Sequence, residues 1–174
     1  SYWGTTNHYT SHNANWGEES HLAAQFAKLK NKYTSKGYPV IIGEYAGLQR
    51  MMPSDQNQEK HDASVKLYYK RVNEYATNNG LVAFAWDTNA AADLKKESGS
   101  STIIDRSNCQ IVGTNAMEGI KEGLSAGTWP FATGIQTYRA KKNDSKHIHT
   151  LMGIPVTEGY RGIVIDNGKK ISGK

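Results

Sequence analysis

At 174 residues with 37% hydrophobic side chains, the chain has the length and apolar content of one ordinary folded domain, which sets disorder aside. The net charge of +5 does not mark a nucleic-acid binder: residues 1–134 hold 13 basic against 13 acidic side chains, and the excess of 8 against 3 sits in residues 135–174 as a solvated basic tail. The single cysteine, Cys109, excludes an internal disulfide and a multi-thiol zinc site; with no basic start before an apolar run and no apolar run of about eighteen residues, neither a leader nor a membrane span is expected in these residues.

The first candidate element is a strand around YWGTTNHYT, ending in Asn7, His8 and Tyr9. In SHLAAQFAKLKNKY the residues Leu22, Phe26, Leu29 and Tyr33 recur at intervals of four, three and four, one face of a helix with Ser20 as its expected N-cap. Gly37 and Pro39 stop that helix. YPVIIGEYAG follows as a short β-branched run, the pattern of a buried parallel strand, and it ends in Glu44 and Tyr45. Residues 62–78 place Val65, Tyr69, Val72 and Ala76 on one helical face, Asn78 to Gly80 end the helix, and LVAFAW is the next strand, ending in Trp86 and Asp87.

A brief apolar run, TIIDRSN, precedes a last helix at 115–124, on which Ala116, Met117, Ile120 and Leu124 share a face. Beyond Trp129 the composition changes to short β-like pieces (GIQTYRA, HIHTLMGI, GIVIDNGKKI) broken by Gly, Asn and Lys, with Asn167-Gly168 as a tight-turn signal. The expected organisation is an α/β unit over residues 1–132 and a small β-rich extension over 133–174. Strands separated by helices argue for parallel βα units with right-handed crossovers, in which functional residues gather beyond the carboxyl ends of the strands.

Those strand ends carry a carboxylate, imidazole and phenol groups, and an indole. That is the equipment of a sugar site, because sugar rings stack on aromatic faces and their hydroxyls need polar partners. Glu44 is the main candidate, since a carboxylate ending a buried strand needs either a cationic partner or a chemical task. Strand alternation allows Asn7 with Tyr9, or His8 with Thr10, to face the mouth, and Trp16 in the following loop is a further sugar platform or a loop-packing aromatic. His147 and His149 lack an accompanying carboxylate or thiol cluster, so no metal is expected, and no cofactor either.

The ordered set NHYT, GYPVIIGEYAG, LVAFAWDTN and TIIDR resembles the C-terminal half of glycoside hydrolase family 5, the (β/α)8-barrel cellulases, over roughly residues 2–124. The resemblance implies a partial (half) (β/α)8 TIM barrel matching strands six to eight. It implies a retaining β-1,4-glucan hydrolase of the endoglucanase type, with Glu44 as nucleophile, Trp86 under the sugar at the cleavage point, and His8 and Tyr9 near the nucleophile and substrate; the alternative is a non-catalytic carbohydrate-binding fragment.

The retaining mechanism needs a second carboxylate about 5 Å away as acid/base. In the family this belongs to an Asn-Glu motif ending strand four. The one Asn-Glu here, Asn73-Glu74, falls inside a helix and reads as a surface pair, while Glu18 and Glu19 read as helix-start residues. The acid/base is therefore expected from a missing N-terminal segment or from a second copy of the chain, either of which also completes the barrel. The tail TLMGIPVTEGYRGIVIDNGKKI resembles C-terminal segments of secreted enzymes of Bacteroidetes-type bacteria, which implies a secreted or cell-surface protein.

Overall fold

In the computed structural model the described residues are 2–9, 12–131, 149–150, 156, 163–166 and 169–172. The chain divides into two compact units, Ser1–Thr133 and Gly134–Lys174. In the first, α1 (Glu19–Lys32), β1 (Val40–Tyr45), α2 (Gln58–Asn78), β2 (Leu81–Ala85), the two-residue strands β3 (Ile104–Asp105) and β4 (Gln110–Ile111), and α3 (Thr114–Ala126) follow in order. The second unit contains β5 (His149–Thr150), β6 (Ile163–Asp166) and β7 (Lys169–Ser172), paired antiparallel in that order. GIQTYRA, His147 and the Asn167-Gly168 turn lie outside the described residues.

Strands β1 and β2 pair in parallel through the α2 crossover, as βα units require. Helix α2 starts at Asn57, whose side chain accepts from the Lys60 N–H at 2.9 Å, and ends at Asn79. The β2 residues Leu81, Ala83 and Ala85 turn toward the helices, where Phe26, Tyr45, Val65, Tyr69, Val72, Ala76, Leu81, Ile103 and Ala116 form the core. The partial α/β barrel of parallel strands is thus present, with a small β extension.

Three local expectations change. The segment around YWGTTNHYT is not a strand: Tyr2 makes one parallel bridge to Asn13, and Thr5–Asn7 then turn as a 3-10 helix. Gly4 causes the break, because its φ of 83° leaves the β region for conformations that only glycine adopts freely. Helix α1 begins after Glu18 rather than Ser20, which sits within the first turn. On α3 the buried stripe is Ala116, Gly119 and Gly123, and Leu124 is exposed. A Cβ on Gly119 would stand 2.3 Å from the Lys66 carbonyl oxygen, and one on Gly123 2.3 Å from that of Lys70, so the two glycines let α3 lie directly on the α2 backbone.

Candidate active site

Strict alternation along β1 would place Glu44 with Val40 and Ile42, against the helices. The register forbids it. Ile42 pairs with Ala83 and Tyr45 with Ala85, so Gly43 and Glu44 together stand opposite the single residue Phe84. This bulge exchanges the roles of the last two residues: Tyr45 turns into the core and Glu44 is exposed. Across the ladder, Val82, Phe84 and Trp86 alternate onto the other face of β2 and are 48%, 52% and 54% exposed. The Trp86 N–H donates to the Tyr45 carbonyl at 2.8 Å. Glu44 and Trp86 therefore stand side by side at the carboxyl ends of neighbouring strands.

Because β1 is covered on one face only, Glu44 is solvated, and no cation lies within ion-pair distance of it among the described residues. Exposed in this way, Glu44 escapes the desolvation that would demand a cationic partner. Its position is set from behind by tyrosines. The buried Asn73 amide donates to the Tyr45 hydroxyl at 2.7 Å and to the Tyr69 carbonyl at 2.7 Å, while the Tyr69 hydroxyl accepts from the Gly47 N–H at 3.0 Å. Burial pushes the Tyr45 phenol up to about 12, against the opposing pull of its bond to Asn73, so Tyr45 stays neutral. Asn73 is thus no surface residue. Glu74, the other half of that pair, binds Arg71, which also holds Glu19, and these two carboxylates keep the guanidinium firmly charged.

The other candidates sit apart from this pair. Asn7 is buried with its amide on the Trp3 carbonyl at 3.2 Å; Tyr9 packs edge-on against Tyr2; Trp16, 75% exposed, lies over His21 at 4.7 Å. His8 shares its Nε2 with Glu18 at 2.8 Å, and the second Glu18 oxygen accepts from the Gly4 N–H at 2.8 Å. None of the four is joined by a hydrogen bond or ring contact to Glu44 or Trp86 among the described residues. Trp3 and Tyr68, in edge contact, line a cavity of about 220 Å³ with Arg50, His61 and Ser64 beside the loop after β1.

From the sequence, Asp87 and Tyr45 only end strands, Asn73 reads as a surface residue and Glu18 as a helix-start residue. Only Asp87 carried a local signal, the turn-forming Asp-Thr-Asn directly after a strand. No cluster of three or more His, Cys, Asp or Glu suited to a metal ion occurs among the described residues, and no helix among them is long and apolar enough to cross a membrane. A solvated carboxylate beside an exposed indole can hold a sugar ring on the indole face while presenting an ionised oxygen to it.

The family model for cellulase (glycosyl hydrolase family 5) matches residues 2–92. The chain belongs to glycosyl hydrolase family 5. Among solved structures, this family 5 chain is similar to a xyloglucan-specific β-1,4-glucanase from a ruminal metagenomic library in complex with XXLG, at 60% identity and TM-score 0.73, covering 76% of this chain and 34% of that one. It is also similar to a Bacteroides ovatus family 5 xyloglucanase in complex with a XXXG heptasaccharide, at 25% identity and TM-score 0.59, covering 71% of this chain and 24% of that one. Endoglucanase A of Paenibacillus barcinonensis is 25% identical over 122 residues, 70% of this chain and 28% of that protein. The family 5 chain thus spans about a third or less of the length of these relatives.

Proposed function

We propose that this chain is the nucleophile-bearing part of a retaining β-1,4-glucanase that cleaves xyloglucan-type β-glucans. The observation that carries the reading is the β1 bulge, which aims Glu44 at the exposed face beside Trp86. The xyloglucan preference follows the 60% identical relative. In this reading the sugar at the cleavage point stacks on Trp86, and a Glu44 oxygen attacks its anomeric carbon as the glycosidic C–O bond breaks. The leaving oxygen takes its proton from a second carboxyl group in its acid form, and water activated by the resulting carboxylate then hydrolyses the glycosyl ester. Glu18, Glu19, Glu74 and Asp87 are engaged in the bonds described, and in this reading the acid/base comes from outside the described residues or from another chain. His8 and Trp16 contribute sugar contacts farther from the cleavage point, whereas Asn7 and Tyr9 serve packing. The tail's resemblance to C-terminal segments of secreted enzymes supports an exported or surface-held protein, which fractionation of cells producing the whole protein tests.

A 2-deoxy-2-fluoro cellobioside with a dinitrophenyl leaving group tests the assignment, because that leaving group departs without protonation. The expected result is a mass increase on the peptide containing Glu44, absent in E44Q. A second reading, sugar binding without cleavage, is favoured by the lack of an unengaged acid/base beside Glu44. It prevails if xyloglucan oligosaccharide binds and no adduct forms.

A further inference from the structure

The Trp86 indole has no aromatic neighbour packed on it among the described residues, and it is more than half exposed. No ring stack among these residues orients it, and the backbone on either side of it is held in place. On its N-terminal side the backbone is held by the ladder to Tyr45. On its C-terminal side the next residue is Asp87, whose side chain is 16% exposed. One Asp87 oxygen accepts from the Asn89 N–H at 2.8 Å, and the other accepts from Ile103 at 3.0 Å and Ile104 at 2.9 Å. Arg106 reinforces the junction, with its guanidinium donating to the Asp87 carbonyl at 3.2 Å and its N–H to the Asn89 side chain at 3.1 Å. Behind it, the Thr88 hydroxyl lies 3.1 Å from those of both Ser100 and Thr102. Two chain segments that are sixteen and seventeen residues apart at these bonds are thereby joined at a single carboxylate.

We propose that Asp87 is a positioning residue that clamps the strand-end backbone to residues 103–104 and so fixes the plane of the Trp86 sugar platform. The proposal rests on the reading of Trp86 as that platform. Three backbone donors converge on one carboxylate, so the amide of D87N must turn its NH2 toward either the Ile103–Ile104 pair or the Asn89–Arg106 side, and donor then meets donor. The platform tilts or becomes mobile while the helices, to which none of these three Asp87 hydrogen bonds runs, keep their packing.

The test uses the full 174-residue chain as D87N, W86F and W86A variants. Without ligand, near-UV circular dichroism and acrylamide quenching are read as differences from W86F, which isolates the Trp86 signal. The expected result for D87N is a changed Trp86 signal with far-UV spectrum and cooperative melting retained; an unchanged signal overturns the clamp. With xyloglucan heptasaccharide, W86A should lose binding and D87N should weaken it about tenfold. If W86A binds like the unmodified chain, or the unmodified chain does not bind, the platform reading fails, and the ligand-free comparison still decides the clamp. If D87N binds with unchanged affinity while W86A does not bind, the clamp is overturned. Should D87N not fold, hydrogen exchange of the Ile103 and Ile104 amides in the unmodified chain replaces it: heptasaccharide slows both if the clamp couples to Trp86, and equal rates with and without it overturn the proposal.

Discussion

Glu44 reaches the exposed face through one extra residue in β1, and Tyr45 is the side chain turned inward by the same step. Tyr45→Phe removes the acceptor of a buried amide bond while keeping the ring, so the Asn73 amide retains only the Tyr69 carbonyl. Leaving a buried donor short of a partner costs about 1–3 kcal/mol, to be read from urea unfolding. Glu44→Gln is expected to leave the urea midpoint unchanged, because the carboxylate is solvated and unpaired among the described residues, while abolishing the covalent adduct. Asp87 carries a pH dependence. Burial alone would raise its carboxyl, but the N–H groups of Ile104, Asn89 and Ile103, with Arg106, outweigh burial and hold it below the ordinary value. Its contribution is thus complete above the unfolded value of about 3.9 and is lost as pH falls through the folded value, so D87N should flatten the acid limb of stability below about pH 4.

At the scale of elements, α2 and α3 meet closely at Gly119 and Gly123, while Met117 and Ile120 of the expected face pack against the core. Gly123→Ala illustrates which effect wins. Alanine is favoured over glycine in a helix by about 1 kcal/mol, but its methyl would sit 2.3 Å from the Lys70 carbonyl oxygen, a backbone atom that cannot swing aside. Overpacking of this kind costs about 1–3 kcal/mol, so thermal unfolding should shift down rather than up. Leu124, on the expected apolar face, is left exposed. Helix period identified Ala116, Met117 and Ile120 correctly, and the close approach at the two glycines is what it could not show.

At the scale of the molecule, Ile41, Val82, Phe84 and Trp86 form an apolar stripe on the face of β1 and β2 opposite the helices. In a closed (β/α)8 barrel such positions fill the interior. Two hydrogen-bonded parallel strands cannot close by themselves, and exposed contiguous apolar area of this kind drives association. The purified 174-residue chain is therefore expected to bind a hydrophobic dye and to sediment above monomer mass, and Phe84→Lys to reduce both; a dye-silent monomer would mean that the stripe is already covered.

The βα order, the helix faces of α1 and α2, and the placement of Glu44 and Trp86 at strand ends were legible in residues 20–86, because hydrophobic period and Gly, Pro and Asn stops are local properties of a chain. Local pattern also proposed a strand at 2–9, and there one glycine with a left-handed φ overruled it. What no pattern could supply was non-local. The bulge that turns Glu44 outward depends on the register between β1 and β2, and the burial of Asn73 depends on where the Tyr45 hydroxyl lies, 28 positions away in sequence. The sequence by itself determined which residues stand at the ends of β1 and β2. Only the tertiary structure decided which way those residues face and what holds them, because a side chain's direction follows from the partner strand's register and from hydrogen bonds that close across the fold.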